Sequence, residues 1–205
     1  MYIGKFHSSA RGYRSELDPE ARMLLAKISS EIITLLDAPA DDADLLHALA
    51  LDERREPPED PALLALLPYM SEDQEEATAL RTLTEDTLRM TKSERLVRIV
   101  ETMEELAASG EDALEVGADE AWEWLCALND MRLVLAQRLD VNSPQDVERV
   151  TRRAEIFFSP QPDFNEDDLD FGPNRMEDVI AAVYVVVTWW QDSLLQAVRF
   201  NEVSQ

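Results

Sequence analysis

The chain has 205 residues, 45% of them hydrophobic, which suits one globular domain with a sizeable core. Its 19 basic and 43 acidic residues give a net charge of −24. This excess of acidic residues argues against a protein that binds nucleic acid or an anionic membrane by neutralising phosphates. Five Gly and ten Pro exclude a fibrous or low-complexity protein.

Three short segments predict a small β element. Residues 2–6 and 12–17 alternate weakly between apolar and polar side chains, with turn residues between them, which is typical of a hairpin over 1–17. Residues 114–116 are short and apolar enough to form a third strand that joins this hairpin. Because an isolated hairpin is barely stable in water, the element is expected to pack on helices.

Helices are predicted for most of the remaining chain. Asp18 and Pro19 mark the first start, because Asp caps free N–H groups and Pro fits the first helical position. This helix is expected to end near Asp37. The acidic stretch that follows should hold a short helix over 43–51 and one or two turns over 61–67.

Two capping boxes predict the next two helices, over 72–89 and 92–108. We therefore expect a boundary between two helices close to residue 90. Gly110 stands where a helix commonly ends in a left-handed residue. The boxes pair Ser71 with Gln74 and Thr91 with Glu94.

The strongest helical pattern lies over 119–139, which is apolar on two faces and is therefore expected at the centre of a bundle. Further helices are expected over 144–157 and 174–200, separated by an acidic loop over 159–173. Residues 183–188 are mostly β-branched, which leaves a buried strand as an alternative there. We expect a helix, because apolar residues keep helical spacing across the run. One apolar face of 119–139 consists of Trp122, Leu125, Cys126, Leu133 and Ala136, and the other of Trp124, Leu128, Met131 and Leu135.

Most catalytic and metal-binding signatures are absent from the sequence. It has no glycine-rich phosphate loop, no nucleophile elbow and too few His and Cys for a zinc site, so no cofactor is expected. Asp163, Asn165 and Asp167 have the spacing of calcium ligands, but the turn glycine and the closing glutamate of such a loop are missing. An acidic loop without a bound cation is the alternative to a metal site there.

A polar group within 119–139 is the main candidate site. Asn129 and Arg132 fall on an otherwise apolar stripe, and Asp130 lies between them. Polar groups on an apolar face need partners, and Gln191 on the last helix is expected to supply one. The group forms either a recessed anion or peptide pocket around Arg132 or an internal network that sets the helix register.

Cys126 is the one cysteine of the sequence, so no disulfide can form within the chain. It is either a redox-reactive thiol or a small buried hydrophobic residue. A reactive thiol needs exposure and a basic neighbour, and no Lys or Arg lies within four residues of Cys126. A disulfide between two chains stays open as an alternative if the thiol is exposed.

The sequence predicts a cytoplasmic protein. Its first residues lack the apolar stretch of a signal peptide, and its longest apolar run, over 179–190, is shorter than the ~20 residues of a membrane span. In so acidic a chain, the arginine clusters are expected to pair with carboxylates of the same molecule. These arginines are Arg95, Arg98, Arg149, Arg152 and Arg153.

Four segments, 17–20, 61–68, 122–139 and 184–197, occur in a distinctive order and spacing. The most characteristic residues are Trp122, Asn129, Asp130 and Arg132. Together they resemble an actinobacterial domain-of-unknown-function family, the one numbered two thousand and seventeen. The resemblance implies a cytoplasmic protein without an established enzymatic activity, sometimes labelled a transcriptional regulator. Neighbouring genes in the family imply a link to proteolysis or to sulfur and redox homeostasis.

The expected fold is mainly α: a single-domain helical bundle with a small β element, an N-terminal hairpin plus a short strand near 114–116. Helices 119–139 and 174–200 should form its centre. The expected segments are a single domain over 1–205, made of a hairpin over 1–17, a helical core over 18–139, a variable helix and acidic loop over 140–173, and a C-terminal core helix over 174–200.

The first functional hypothesis is a non-enzymatic, acidic interaction or regulatory protein that binds another protein with a basic surface. It would contact neither nucleic acid nor a membrane directly. The alternatives are a small-ligand-binding or enzymatic module around Arg132, and a thiol sensor at Cys126. The apolar content leaves homodimer formation open.

Overall fold

A computed structural model describes residues 1–37, 55–158 and 175–203 of the chain. Within these ranges the fold is mainly α with a small antiparallel sheet, as predicted. The predicted helix over 43–51 and the acidic loop over 159–173 lie outside the described residues. The elements are β1 (His7–Ser9), β2 (Gly12–Glu16), α1 (Pro19–Asp37), α2 (Pro61–Leu66), α3 (Gln74–Ser109), β3 (Ala113–Gly117), α4 (Ala121–Arg138), α5 (Pro144–Phe158) and α6 (Arg175–Val203).

The sheet places β2 between β1 and β3, both antiparallel to it, so the predicted third strand is confirmed. The predicted strand over 2–6 is wrong, because that segment supplies only an isolated bridge between Ile3 and Leu17. The Phe6 N–H donates instead to Ser193 Oγ of α6 at 3.1 Å, which anchors the segment to a helix. Gly12 is required by the sheet, since its φ is 143° and a Cβ there would lie 2.2 Å from the Val116 carbonyl oxygen.

The helix α1 begins and ends where the sequence predicts. Asp18 Oδ1 accepts a hydrogen bond from the Ala21 N–H at 2.8 Å, which satisfies one of the free donors of the first turn. Arg22 is buried one turn later and donates to the Glu111 carbonyl and to Asp112. These contacts tie the start of α1 to the segment between α3 and β3.

The helix α3 is a single helix of 36 residues, so the predicted boundary near residue 90 is wrong. Asp73, rather than Ser71, caps its start, with Asp73 Oδ1 accepting from the Glu76 N–H at 2.9 Å. No Gly or Pro occurs between Gln74 and Ser109, so nothing in the sequence interrupts the backbone hydrogen bonds at Thr91. Gly110 ends the helix as predicted, with a left-handed φ of 72°.

The centre of the fold lies where α4 and α6 pack against each other and against the sheet. Trp190 of α6 is fully buried and stacks on Phe6 with ring centroids 4.9 Å apart. The Trp190 ring also meets the edge of Trp124 at 6.2 Å, and its Nε1–H donates to Ser15 Oγ at 3.0 Å. The β-branched run over 183–188 is helical, as expected.

By length and composition, Met176–Phe200 of α6 is apolar enough to cross a membrane, with a mean hydropathy of 1.2 in its most apolar window. The core helix of a soluble protein meets the same criteria. Trp190 and Leu194 of this helix are both fully buried within the fold. The apolar character of α6 is therefore accounted for, at least in part, by the residues it contributes to the core.

Candidate functional site

The polar residues predicted on α4 point in different directions. Asp130 is buried and paired with Lys92 of α3, whereas Arg132 is partly buried and paired with Gln191 of α6. Asn129 is exposed, which corrects its expected place on an apolar face. The structure therefore brings Arg132 and Gln191 together and separates Asp130 from both.

Asp130 forms a nearly buried ion pair that sequence spacing did not indicate. Lys92 Nζ lies 2.6 Å from Asp130 Oδ1, while Asp130 Oδ2 is buried without a hydrogen-bond partner among the described residues. Burial raises the pKa of the Asp130 carboxyl, and this effect outweighs the opposing charges of Lys92 and Arg95. A buried carboxylate with one unsatisfied oxygen costs stability in its charged form.

Replacing Asp130 with asparagine should remove a pH-dependent loss of stability. The raised pKa means that the folded state holds the proton more tightly than the unfolded state. The wild type should therefore lose stability relative to Asp130→Asn as the pH rises above the ordinary value of 3.8. Urea unfolding of both proteins from about pH 4 to pH 7 measures this difference. A difference that stays constant, or that moves in favour of the wild type, would contradict the assignment.

Arg132 is held by amide groups rather than by a carboxylate. Its Nη1 donates to Gln191 Oε1 at 2.5 Å, and Gln191 Nε2 donates to the Leu125 carbonyl at 3.0 Å. Within the described ranges, Arg132 Nε is buried without an acceptor, and so is the hydroxyl of Thr188, one turn from Gln191 on α6. The cavities that open at the sheet and beside α3 are not lined by Arg132.

Cys126 is partly buried and has a basic neighbour that its own helix does not supply. Arg95 of α3 lies near enough to interact electrostatically with Cys126, Glu123 and Asp130. Burial alone would lower the pKa of Arg95, but the hydrogen bond to Glu123 and these charges raise it. The ion pairs Arg95–Glu123 and Arg98–Glu120 confirm the expectation that these arginines pair within the molecule.

Trp122 was expected on an apolar face of α4, but its side chain is 67% exposed. Trp124 and Leu128, on the other predicted face, are buried in the core. Leu125 belongs to the same predicted face as Trp122 but is buried, so this face reaches solvent at the start of α4 rather than along its whole length.

A second surface lies on α3 and was missed by the sequence analysis. The buried face of α3 includes Ala77, Arg81, Glu85, Leu96, Ile99, Met103 and Leu106. The opposite face of the helix presents an outer stripe, defined as Leu83, Met90, Glu94, Val97 and Glu101. Its three apolar residues are 78%, 57% and 40% exposed in chain order.

Four glutamates on and beside the outer stripe are exposed, and none of them pairs with a cation of the described residues. They are Glu94, Glu101, Glu104 and Glu105. In the part of the chain that the structure describes, no basic side chain lies within ion-pair distance of any of them. The predicted break near residue 90 concealed this stripe, because only a continuous helix aligns Leu83 with Val97. The interval of seven residues between Leu83, Met90 and Val97 was the signal that could have revealed it.

Metal binding has no support among residues 1–37, 55–158 and 175–203, where no group of three or more His, Cys, Asp or Glu side chains could hold an ion. The calcium-like residues Asp163, Asn165 and Asp167 lie outside these ranges. The candidate cation loop therefore stays a prediction from the sequence.

Comparison with known proteins identifies the family. Residues 3–198 match the model of a family described as a domain of unknown function, DUF2017. The chain belongs to this family. No curated protein and no solved structure matches the chain. The DUF2017 match spans both candidate surfaces, the polar group of α4 and the outer stripe of α3, and its description attaches no activity to either.

Proposed function

We propose that the protein is a non-enzymatic binding protein whose α3 binds the basic surface of another protein. The observation that carries this proposal is the set of four exposed glutamates, Glu94, Glu101, Glu104 and Glu105, which have no ion-pair partner in residues 1–37, 55–158 and 175–203. Like charges so close together on one helix repel each other. A partner that supplies cations reduces the repulsion between the glutamates, and its cations are attracted to them.

The neighbouring cations do not neutralise this surface. Arg95 and Arg98 extend from the flank of α3 and pair with Glu123 of α4 and with Glu120, which directly precedes α4. The outer stripe therefore keeps its negative charge, and the net charge of −24 adds a long-range field around it. Such a field accelerates the approach of a basic partner, and its effect weakens as the salt concentration rises.

Neutralising the four glutamates should weaken binding of a basic peptide about tenfold, which corresponds to about 1.4 kcal/mol. The probe is a fluorescent Lys- and Arg-rich peptide, titrated with the protein and followed by anisotropy at low and near-physiological salt. The variant replaces Glu94, Glu101, Glu104 and Glu105 with glutamine. A matched control removes the same number of charges from other exposed positions, with the changes Asp140→Asn, Glu148→Gln, Glu155→Gln and Asp192→Asn.

The control variant has the same net charge as the α3 variant, so the comparison separates local from global attraction. We expect the control to bind within about twofold of the wild type. Equal weakening of both variants would show that only net charge matters and would remove α3 as the site. No binding to the wild type at low salt would end the proposal.

Arg132 supports a second candidate function, the binding of a small carboxylate. Its guanidinium contacts an amide rather than a carboxylate, and its Nε lacks an acceptor among the described residues. Guanidinium groups bind carboxylates through two parallel hydrogen bonds. Calorimetric titration with succinate should give a heat that Arg132→Gln abolishes and Arg138→Gln keeps. No heat with the wild type, or a heat that survives Arg132→Gln, would rule this function out.

Two further proposals concern Cys126 and the cellular role. A thiol sensor at Cys126 needs a reactive thiol, and the side chain is only partly buried. Failure of iodoacetamide to alkylate the folded protein at Cys126 would remove it. A cytoplasmic role in an actinobacterial cell, linked to transcription, proteolysis or sulfur and redox homeostasis, rests on the family resemblance, and a deletion strain without a defect in these processes would argue against it.

A further inference from the structure

We infer that the partner presents a basic amphipathic α-helix, which packs lengthwise along the outer stripe of α3. This inference rests on the proposed function and adds the shape of the partner to its charge. The observation that carries it is the combination, on one exposed helix face, of evenly spaced apolar side chains with glutamates that no described cation pairs.

The apolar residues of the outer stripe have the spacing of a helix–helix interface. Leu83, Met90 and Val97 recur every seven residues, which is close to two helical turns. A seven-residue repeat keeps side chains facing a partner helix along its whole length. From Leu83 to Val97 the row extends about 21 Å, at about 1.5 Å per residue. A single exposed leucine needs no explanation, whereas a row of three with one period is typical of a binding surface.

The glutamates of the outer stripe repeat with the same period. Glu94 follows Met90 by one turn, and Glu101 follows Val97 by one turn. An apolar row beside an acidic row matches a partner helix that carries an apolar row beside a row of Lys or Arg. In coiled coils, charges that flank an apolar seam determine which helices pair.

The charge pattern also argues against a second copy of this chain as the occupant. Two outer stripes face to face in parallel would place Glu94 and Glu101 of one protomer near those of the other. In the antiparallel arrangement that aligns Leu83 with Val97, the facing stripe offers these glutamates no cation. Like charges opposite each other across an interface are destabilising. A partner with the opposite charge removes this cost, so the stripe favours a different protein.

An open groove continues the surface beyond Leu83. It has a volume of about 640 Å³ and is lined by Leu83 together with Glu56, Glu75, Thr78 and Thr82, among others. Its wall carries two more carboxylates beside the apolar Leu83 and Ala79, which repeats the chemistry of the outer stripe. A basic helix longer than the stripe therefore finds further matching contacts at this end.

Two peptides of identical composition test the inference. The first places leucines at heptad spacing with Lys and Arg beside them, so that it forms a basic amphipathic helix. The second has the same residues in a permuted order that scatters the leucines around the helix. Anisotropy titrations at near-physiological salt should show the amphipathic peptide binding at least about tenfold more tightly, a difference of about 1.4 kcal/mol.

Substitutions on α3 locate the effect. The triple variant Leu83→Ser, Met90→Ser and Val97→Ser should bind both peptides equally, because it keeps the charges and loses the apolar row. A matched control changes three similarly exposed apolar residues elsewhere and should keep the preference. Its changes are Met23→Ser, Trp122→Ser and Met176→Ser.

The outcomes distinguish failure of this inference from failure of the proposed function. If both peptides bind the wild type equally and the four-glutamine variant weakens both, the helical partner is wrong and the acidic binding surface stands. If neither peptide binds, both proposals fail. A preference that survives the triple variant places the interaction elsewhere and overturns the inference. A photo-crosslinker at Met90 in the isolated protein tests the occupant in another way. Its capture of residues 38–54 of the same chain, or of a second copy of the chain, would also overturn the inference.

Discussion

Replacing Trp190 with alanine is expected to lower the free energy of unfolding by about 3–5 kcal/mol. The side chain is fully buried, so its removal leaves a large cavity at the centre of the fold. It also ends the stacking on Phe6 and the edge contact with Trp124, and it leaves the Ser15 hydroxyl without its donor. Urea unfolding followed by circular dichroism gives the free energy.

Trp122→Ala is the matched control for this prediction. Both tryptophans belong to helices of the core, but the Trp122 side chain is 67% exposed. The control should therefore change stability by no more than about 0.5 kcal/mol. Similar losses for the two variants would show that the core is not arranged around Trp190.

Glu85→Ala is the second variant with a large expected effect, a loss of about 3–5 kcal/mol. Glu85 is buried on the inner face of α3, and its carboxylate accepts from Arg81 at 3.0 Å and from Arg89 at 2.9 Å. Arg81 is itself buried, with a second hydrogen bond to the Leu67 carbonyl. Without Glu85, two guanidinium groups lose their shared counter-charge, and one of them, on Arg81, is largely buried.

The adjacent residue provides the control. Asp86 pairs with Arg55 at 2.6 Å, but its side chain is exposed. Exposed ion pairs contribute little, so Asp86→Ala should cost less than about 1 kcal/mol. Thermal and urea unfolding of the two variants side by side measures the contrast. A cost for Glu85→Ala as small as that for Asp86→Ala would mean that the cluster around Glu85 is solvated rather than buried.

Local signals in the sequence predicted much of the fold. Asp18 and Pro19 determine the start of α1 through capping and backbone geometry, which depend only on neighbouring residues. Gly110 ends α3 for the same kind of reason. The last helix was predicted through its β-branched run, because the apolar spacing of its buried face outweighs small differences in helix propensity.

The errors arise where a tertiary contact decides between local alternatives. Phe6 is drawn out of a strand by its contacts with Ser193 and Trp190 of α6, which lie far away in sequence. The capping pattern at Thr91 was read as a helix start, although neighbouring residues favour a continuous helix. Capping residues indicate a start only where the preceding segment is free to end.

In the candidate sites, too, the contacts that local patterns indicate were predicted, and those that depend on tertiary packing were not. Gln191 was expected near Arg132 because both lie on apolar faces of helices predicted to be central. In the structure Arg132 Nη1 lies 2.5 Å from Gln191 Oε1. The pairing of Lys92 with Asp130 and the proximity of Arg95 to Cys126 depend on how α3 crosses α4. Periodicity within one helix carries no information about that crossing. The outer stripe of α3 is recognisable only when α3 is one continuous helix. The capping pattern at Thr91 had instead led to the prediction of two helices.

Site-specific crosslinking in cells determines whether the outer stripe of α3 binds a basic partner. A photo-reactive benzoylphenylalanine replaces Val97 on the stripe or, as a control, the more exposed Met23 of α1. We predict that the Val97 probe captures a Lys- and Arg-rich segment of another protein. The double substitution Glu94→Lys and Glu101→Lys should abolish this crosslinked product. The Met23 probe should not form it. Identical products from both positions, or a Val97 product that survives the lysine substitutions, would contradict the account.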